Sequence, residues 1–185
     1  MNSNVTLIIG GARSGKSHFA ESLPATGQNV TYVATAPKFD TDPEWILRIA
    51  THKKRRPRQW KTIETIDINE ILSESTAEEF LIVDCLTLWC SAAIDERNGW
   101  ARIESDGDFA DLESELSKCF QNLTKSLAAT SSQVALVTNE VGYGIVPELA
   151  TTRFFRDQLG KLNIAVAAIS GTVFQVTAGI PVRLK

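Results

Sequence analysis

The chain is poor in the features that mark specialised environments. None of its apolar runs approaches the roughly 18 residues of a membrane-spanning helix, so no membrane span is expected. The opening MNSNVTLIIGG has no basic n-region and runs straight into a strand-like stretch. It does not read as a secretory signal, and the cytoplasm is the expected location. Only three cysteines occur, Cys85, Cys90 and Cys119. An odd number without paired spacing argues against a secreted disulfide framework, and no histidine stands beside Cys85 and Cys90 to complete a zinc site. Buried, reduced thiols that pack as small hydrophobes are expected instead. Positive charge is not in surplus either. A net charge of −3 argues against nucleic acid as a partner. Low-complexity tracts and internal repeats are absent.

What is present suits one globular domain over residues 1–185. The length of 185 residues allows a sizeable core, and 43% hydrophobic with 22% charged residues is ordinary for a soluble protein. Short apolar runs recur at VTLII (5–9), VTYVAT (30–35), FLIVD (80–84) and VALVTN (134–139). Such continuous runs suit parallel strands buried on both faces. Helices are predicted over 16–23, 43–54, 108–129 and 148–169. Asp42 and Pro43 form an N-cap and N1 pair for the second. Phe109, Leu112, Leu116, Phe120, Leu123 and Leu127 give the third its stripe. IAVAAI, within the fourth, also fits a strand. The final VFQVTAGIPVRLK predicts two short strands around a Gly-Ile-Pro turn, and residues 95–107 read as a surface loop. Alternating strands and helices imply an α/β fold with a largely parallel sheet, flanked by helices and closed by a C-terminal β-hairpin.

The chemistry begins at GGARSGKS, which follows a predicted strand and opens a predicted helix. Gly10, Gly11, Ala12, Arg13, Ser14, Gly15, Lys16 and Ser17 form a P-loop. Backbone amides wrap the β-phosphate, Lys16 reaches the β- and γ-phosphates, and the Ser17 hydroxyl ligates Mg²⁺. Asp84 ends the FLIVD strand, where a carboxylate holds Mg²⁺ directly or through water; the alternative is an ordinary strand-end cap. Six of the ten residues from His52 to Lys61 are Lys or Arg: Lys53, Lys54, Arg55, Arg56, Arg58 and Lys61. This is either a solvated basic helix end or an anion clamp. Of the two histidines, His18 reads as structural. His52 sits among cations that favour its neutral form, and neutral imidazole is a competent nucleophile. Asn139 and Glu140 follow a buried strand, at the sheet edge where α/β active sites lie, and Gly142 and Gly144 permit a tight turn there. Either a plain connecting loop or a substrate contact fits that stretch.

Taken in order, GGARSGKS, YVAT, RIATHKKRRPRQWKTIE, VDCLTLW, VTNEVGYGIVPE, FRDQLGKLN and GIPVRLK resemble the bifunctional adenosylcobinamide kinase / adenosylcobinamide-phosphate guanylyltransferase family of cobalamin biosynthesis. The resemblance spans residues 5–185, and the chain departs from the family pattern at Ile164 and at the SGT of 170–172. The resemblance implies a RecA-like P-loop fold and a homotrimer. It implies transfer of a γ-phosphate from ATP or GTP to adenosylcobinamide. GMP from GTP then passes through a covalent histidine to adenosylcobinamide phosphate. In this sequence that histidine is His52, with Lys53, Arg55 and Arg56 around the developing charge. Thr35, Glu64 and Asp84 join the P-loop at the nucleotide. A plain P-loop kinase and a GTP-binding switch without transfer are the competing readings.

Overall fold

The computed structural model describes residues 1–36, 46–47, 50, 53, 56–105 and 109–185. The predicted helix over 43–54 therefore falls largely outside the described residues, although Ile46, Leu47, Ala50 and Lys53 are helical. Seven strands form one sheet: β1 (Asn2–Gly10), β2 (Asn29–Ala34), β3 (Lys61–Glu64), β4 (Glu79–Asp84), β5 (Gln133–Asn139), β6 (Ser170–Thr177) and β7 (Ile180–Arg183). Their order is β3-β2-β4-β5-β1-β6-β7. The first six run parallel, and β7 is antiparallel to β6. The described helices are α1 (Lys16–Glu21), α2 (Ile68–Glu74), α3 (Leu86–Asp95), α4 (Gly99–Ser105), α5 (Phe109–Ala129) and α6 (Ala150–Ile169).

Strand alternation divides the core into two layers. Val5, Leu7, Leu81, Val83, Val134 and Leu136 face the layer formed with α2, α3, α5 and α6. Ile8, Val30, Tyr32, Phe80, Ile82, Ala135 and Val137 face the smaller layer, where Ala20 of α1 packs. Both sets are buried, which is why these strands read as unbroken apolar runs. Helix α5 buries Leu112, Leu116, Phe120, Leu123 and Leu127, five of the six positions in the expected stripe; the sixth, Phe109 at the start of the helix, is exposed. IAVAAI is helical, as the end of α6.

Two sequence expectations change, and one strand was not foreseen. Residues 95–107 are not a loop: the described part holds the end of α3 and all of α4, whose Ile103 is buried. Charged neighbours and a single deeply buried side chain left α4 without a legible period. Strand β3 was hidden within the basic stretch. It is a four-residue edge strand, and the charged ends Lys61 and Glu64 suit an exposed edge. The C-terminal turn is not Gly-Ile-Pro. Ala178 and Gly179 have φ of 51° and 82°, the primed turn that matches strand twist, while Ile180 and Pro181 pair with Thr177 and Val176. His18, read as structural, is exposed on α1. The family departures are structurally quiet: Ile164 is exposed and residues 170–172 begin β6.

Among the described residues the cysteines are free, with Cys90 buried and Cys85 and Cys119 half-buried. Burial pushes the Cys90 thiol up to about 12, and burial with the Asp84 charge pushes Cys85 up to about 11. Both stay protonated at neutral pH, packing groups rather than nucleophiles. No described helix is long and apolar enough to cross a membrane.

Candidate active site

The parallel register aligns the carboxyl ends of five strands. Glu64 pairs with Ala34, Ala34 with Asp84, Asp84 with Val137, and Gly10 with Asn139. Residues far apart in sequence thereby share one edge: the P-loop, Thr35, Glu64, Asp84, Asn139 and Glu140. Such an edge is where open α/β sheets bind ligands.

The P-loop is anchored from both sides. Gly10 ends β1 so close to the neighbouring chain that an added Cβ would lie 2.3 Å from the Val176 carbonyl oxygen. Gly15 has φ of 99°, which favours glycine, and Arg13 adopts φ of 57° in the same turn. The Gly179 amide of the hairpin turn donates to the Ser14 carbonyl at 2.8 Å. Ser17 follows in the first turn of α1, and exposed Ala12 completes the loop. Lys16 opens α1 at 6% exposure and donates from Nζ to the Gly11 carbonyl at 2.6 Å. Its ammonium is thus held over the loop itself. The Ser14 hydroxyl is buried without a hydrogen-bond partner among the described residues.

Asp84 and its surroundings form the second part. The Tyr32 hydroxyl donates to Asp84 Oδ2. Burial, reinforced by the Asp84 charge, pushes the Tyr32 hydroxyl far above its ordinary value, so it remains a donor. Thr35 is completely buried; its hydroxyl donates to the Cys85 carbonyl at 2.7 Å and accepts from the Cys85 amide at 2.9 Å. The structure therefore engages Thr35 with the backbone that follows Asp84. The place at the nucleotide that the family resemblance implies for Thr35 is next to that backbone.

His52 and Arg55 lie outside the described residues. Their described neighbours reach the same edge. Lys53 Nζ pairs with Glu64 Oε1 at 2.7 Å, both side chains partly exposed. The Arg56 guanidinium carbon lies 3.3 Å from the centroid of the Tyr32 ring. Arg56 Nε and Nη1 are buried with no hydrogen-bond partner among the described residues. Unpaired buried donors on a cation are costly, and an anion is the natural partner for them.

The third part is the β5 end. The Asn139 amide donates to Thr87 Oγ1 at 2.8 Å, and its carbonyl accepts from Asn163 Nδ2 at 3.1 Å. The Glu140 amide donates to the Gly10 carbonyl at 3.0 Å, tying this segment to the P-loop. Beyond it, Arg153 bonds the carbonyls of Pro147 and Glu148, and Arg156 those of Gly144 and Ile145. Tyr143, Ile145, Val146 and Leu149 are left exposed.

The donor set suits Mg²⁺. Asp84 supplies hard carboxylate oxygen and Ser17 a hydroxyl, while Tyr32 occupies only one of the Asp84 oxygens. Among the described residues no three His, Cys, Asp or Glu side chains converge as a metal cage. Mg²⁺ ordinarily needs only one or two carboxylates besides phosphates and water.

Sequence reasoning missed Tyr32 and Asn163. They stand in YVAT and FRDQLGKLN, but no local pattern gives them a role, because their partners arrive only through strand register and helix packing.

Solved structures share the fold. The type III secretion ATPase EscN of enteropathogenic E. coli matches with a TM-score of 0.56 at 13% identity, over 94% of this chain and 43% of that one. A prototypical ATPase from the type III secretion system of pathogenic bacteria matches at 0.54, again at 13% identity, over 94% of this chain and 51% of its own. This likeness extends to the RecA-like P-loop fold alone. Full-length relatives are more specific. The bifunctional adenosylcobalamin biosynthesis protein CobU of Escherichia coli is 34% identical over 181 residues, covering 97% of this chain and 98% of its own. CobU of Salmonella typhimurium is 36% identical with the same coverage, and CobP of Pseudomonas aeruginosa is 38% identical over 97% of this chain and 96% of its own. The family model for cobinamide kinase / cobinamide phosphate guanyltransferase matches residues 6–184, and the chain belongs to that family.

Proposed function

We propose that both reactions of this cobinamide kinase and cobinamide phosphate guanylyltransferase use one nucleotide site at the carboxyl edge, each with its own nucleoside triphosphate, and that the phosphorus attacked decides which reaction occurs. The observation that carries this reading is the shared register of Gly10, Asp84, Ala34 and Glu64, which brings the P-loop and the attachment point of the basic segment to one line.

In the kinase step the acceptor is adenosylcobinamide and the donor ATP or GTP. Its hydroxyl oxygen bonds the γ-phosphorus, the bond to the β,γ-bridging oxygen breaks, the nucleoside diphosphate leaves and the hydroxyl proton is released. The P-loop amides and Lys16 cradle the phosphates, and Asn139 and Glu140 face the acceptor. In the guanylyl step a neutral His52 nitrogen bonds the α-phosphorus of GTP and pyrophosphate leaves. A phosphate oxygen of adenosylcobinamide phosphate then displaces the histidine, giving adenosylcobinamide-GDP. Lys53, Arg55 and Arg56 offset the developing charge. Lys53 follows His52 directly and is paired to Glu64, which supports delivery of that nucleophile to the same edge. Mg²⁺, held by Ser17 and Asp84, would neutralise phosphate charge when bound.

A cytoplasmic homotrimer is the assembly we propose, from the family resemblance. The exposed apolar row Ile180, Val182 and Leu184 on and after β7 supplies surface that an assembly would cover.

Incubation with GTP radiolabelled at the α-phosphate tests the covalent step. Wild-type protein is expected to retain label after denaturation, acid-labile and base-stable, and His52→Ala none. An unlabelled wild type, or a variant labelled as fully, would sink the histidine's role.

A further inference from the structure

Tyr32 stands out because it touches two functional groups at once. Its hydroxyl donates to Asp84 Oδ2, and its ring lies 3.3 Å beneath the Arg56 guanidinium. We propose that Tyr32 is a positioning residue, setting the Asp84 carboxylate with its hydroxyl and the Arg56 guanidinium with its ring, and so coupling the metal side of the nucleotide site to its phosphate side. The proposal rests on the reading of Asp84 and Arg56 as nucleotide-site groups.

The geometry suits each task. One donor on Oδ2 fixes the carboxylate rotamer and leaves the second oxygen for a metal or metal-bound water. Stacking occupies the face of a guanidinium and leaves its N–H edge available to an anion. The structure has those edge groups buried and unmatched at Nε and Nη1 among the described residues. Tyr32 is itself held firmly. It is fully buried on β2 between β3 and β4, on the face that carries α1, and Glu21 of that helix is an electrostatic neighbour. A rigid tyrosine between a carboxylate and a cation transmits the position of one to the other. Its role is orientation, since its hydroxyl is engaged by Asp84 and its ring by Arg56.

The test measures GTP affinity by calorimetry with Mg²⁺ and with chelator. Tyr32→Phe keeps the ring and loses the hydroxyl. About tenfold weaker GTP binding is expected with Mg²⁺, the lower end for a lost hydrogen bond to a charged group, and little change with chelator. Tyr32→Leu loses the Arg56 seat as well, and binding should weaken in both conditions. In an Asp84→Asn background, Tyr32→Phe should add less than twofold, because its effect passes through that carboxylate. Tyr32→Phe binding within twofold of wild type in Mg²⁺, or an equal loss in chelator, overturns the proposal. Asp84→Asn with undiminished Mg²⁺-dependent binding would instead overturn the underlying reading of Asp84.

A second measurement needs no substitution at position 32. The chain has two tyrosines, so labelled tyrosine gives two ring signals. The hydroxyl-bearing carbon of Tyr32 should shift when Mg²⁺ is added to the GTP complex, and should not in Asp84→Asn. A signal unmoved in the wild type contradicts the coupling.

Discussion

Replacing Gly10 by alanine puts the junction of fold and site under direct strain. The new Cβ would lie 2.3 Å from the Val176 carbonyl oxygen and 2.9 Å from Ser14 Oγ. Non-bonded heavy atoms rest at about 3.5 Å, so roughly 1 Å of movement is required. The first obstacle is backbone and cannot rotate away. Strand β6 is hydrogen-bonded to β1 through Ile9 and Gln175, and the Gly10 carbonyl accepts from the Glu140 amide at 3.0 Å. Overpacking costs about 1–3 kcal/mol, and a backbone obstacle places this case near 3. In a chain of this size each kcal/mol moves the melting temperature by about 2–4 °C, so a fall of about 6–12 °C is expected. Gly11→Ala is the internal control, since nothing lies within 4 Å of its added Cβ. Thermal melts of both variants by circular dichroism, beside the wild type, decide the matter. Gly10→Ala melting with the wild type, or both variants falling equally, would refute the close-approach argument.

Further expectations concern the chemistry and its supports. Lys16→Ala should lower kinase turnover by about 10²-fold or more, read by nucleoside diphosphate release, because the phosphates lose a cation held in a buried loop. Asn163→Ala should cost about 1–3 kcal/mol in urea denaturation. It strips partners from the buried Thr138 hydroxyl, which donates to Asn163 Oδ1 at 2.7 Å, and from the Asn139 carbonyl. Stability should be insensitive to the thiols below about pH 9 and fall as pH rises toward about 11–12. Folding raises the Cys85 and Cys90 values, so the unfolded chain releases those protons first. Denaturation at stepped alkaline pH measures this, and Cys90→Ala should flatten that part of the curve.

Much of this architecture was legible in the sequence, for physical reasons. The four apolar runs are strands because a parallel sheet buries both faces of each. Helix α5 announced itself through six leucine and phenylalanine positions at a helical repeat, five of which it buries. The P-loop was legible because its glycines and lysine serve local backbone geometry. Elements carried by long-range context were not. Strand β3 is too short and charged to show alternation, and α4 buries too little to show a period. The pairing of Tyr32 with Asp84 exists only because β2 and β4 lie side by side, a neighbourhood that no local pattern encodes. Thr35 illustrates the remaining gap. The family resemblance placed it at the nucleotide, but the hydrogen bonds of its hydroxyl to the Cys85 backbone come from a neighbouring strand end and no local pattern encodes them.

The central claim is that one site performs two transfers, distinguished by what attacks. Assaying both partial reactions in folded His52→Ala protein tests it most directly. The account predicts that cobinamide phosphorylation continues near the wild-type rate while guanylyl transfer is lost. Loss of both activities together, or survival of guanylyl transfer, would contradict it.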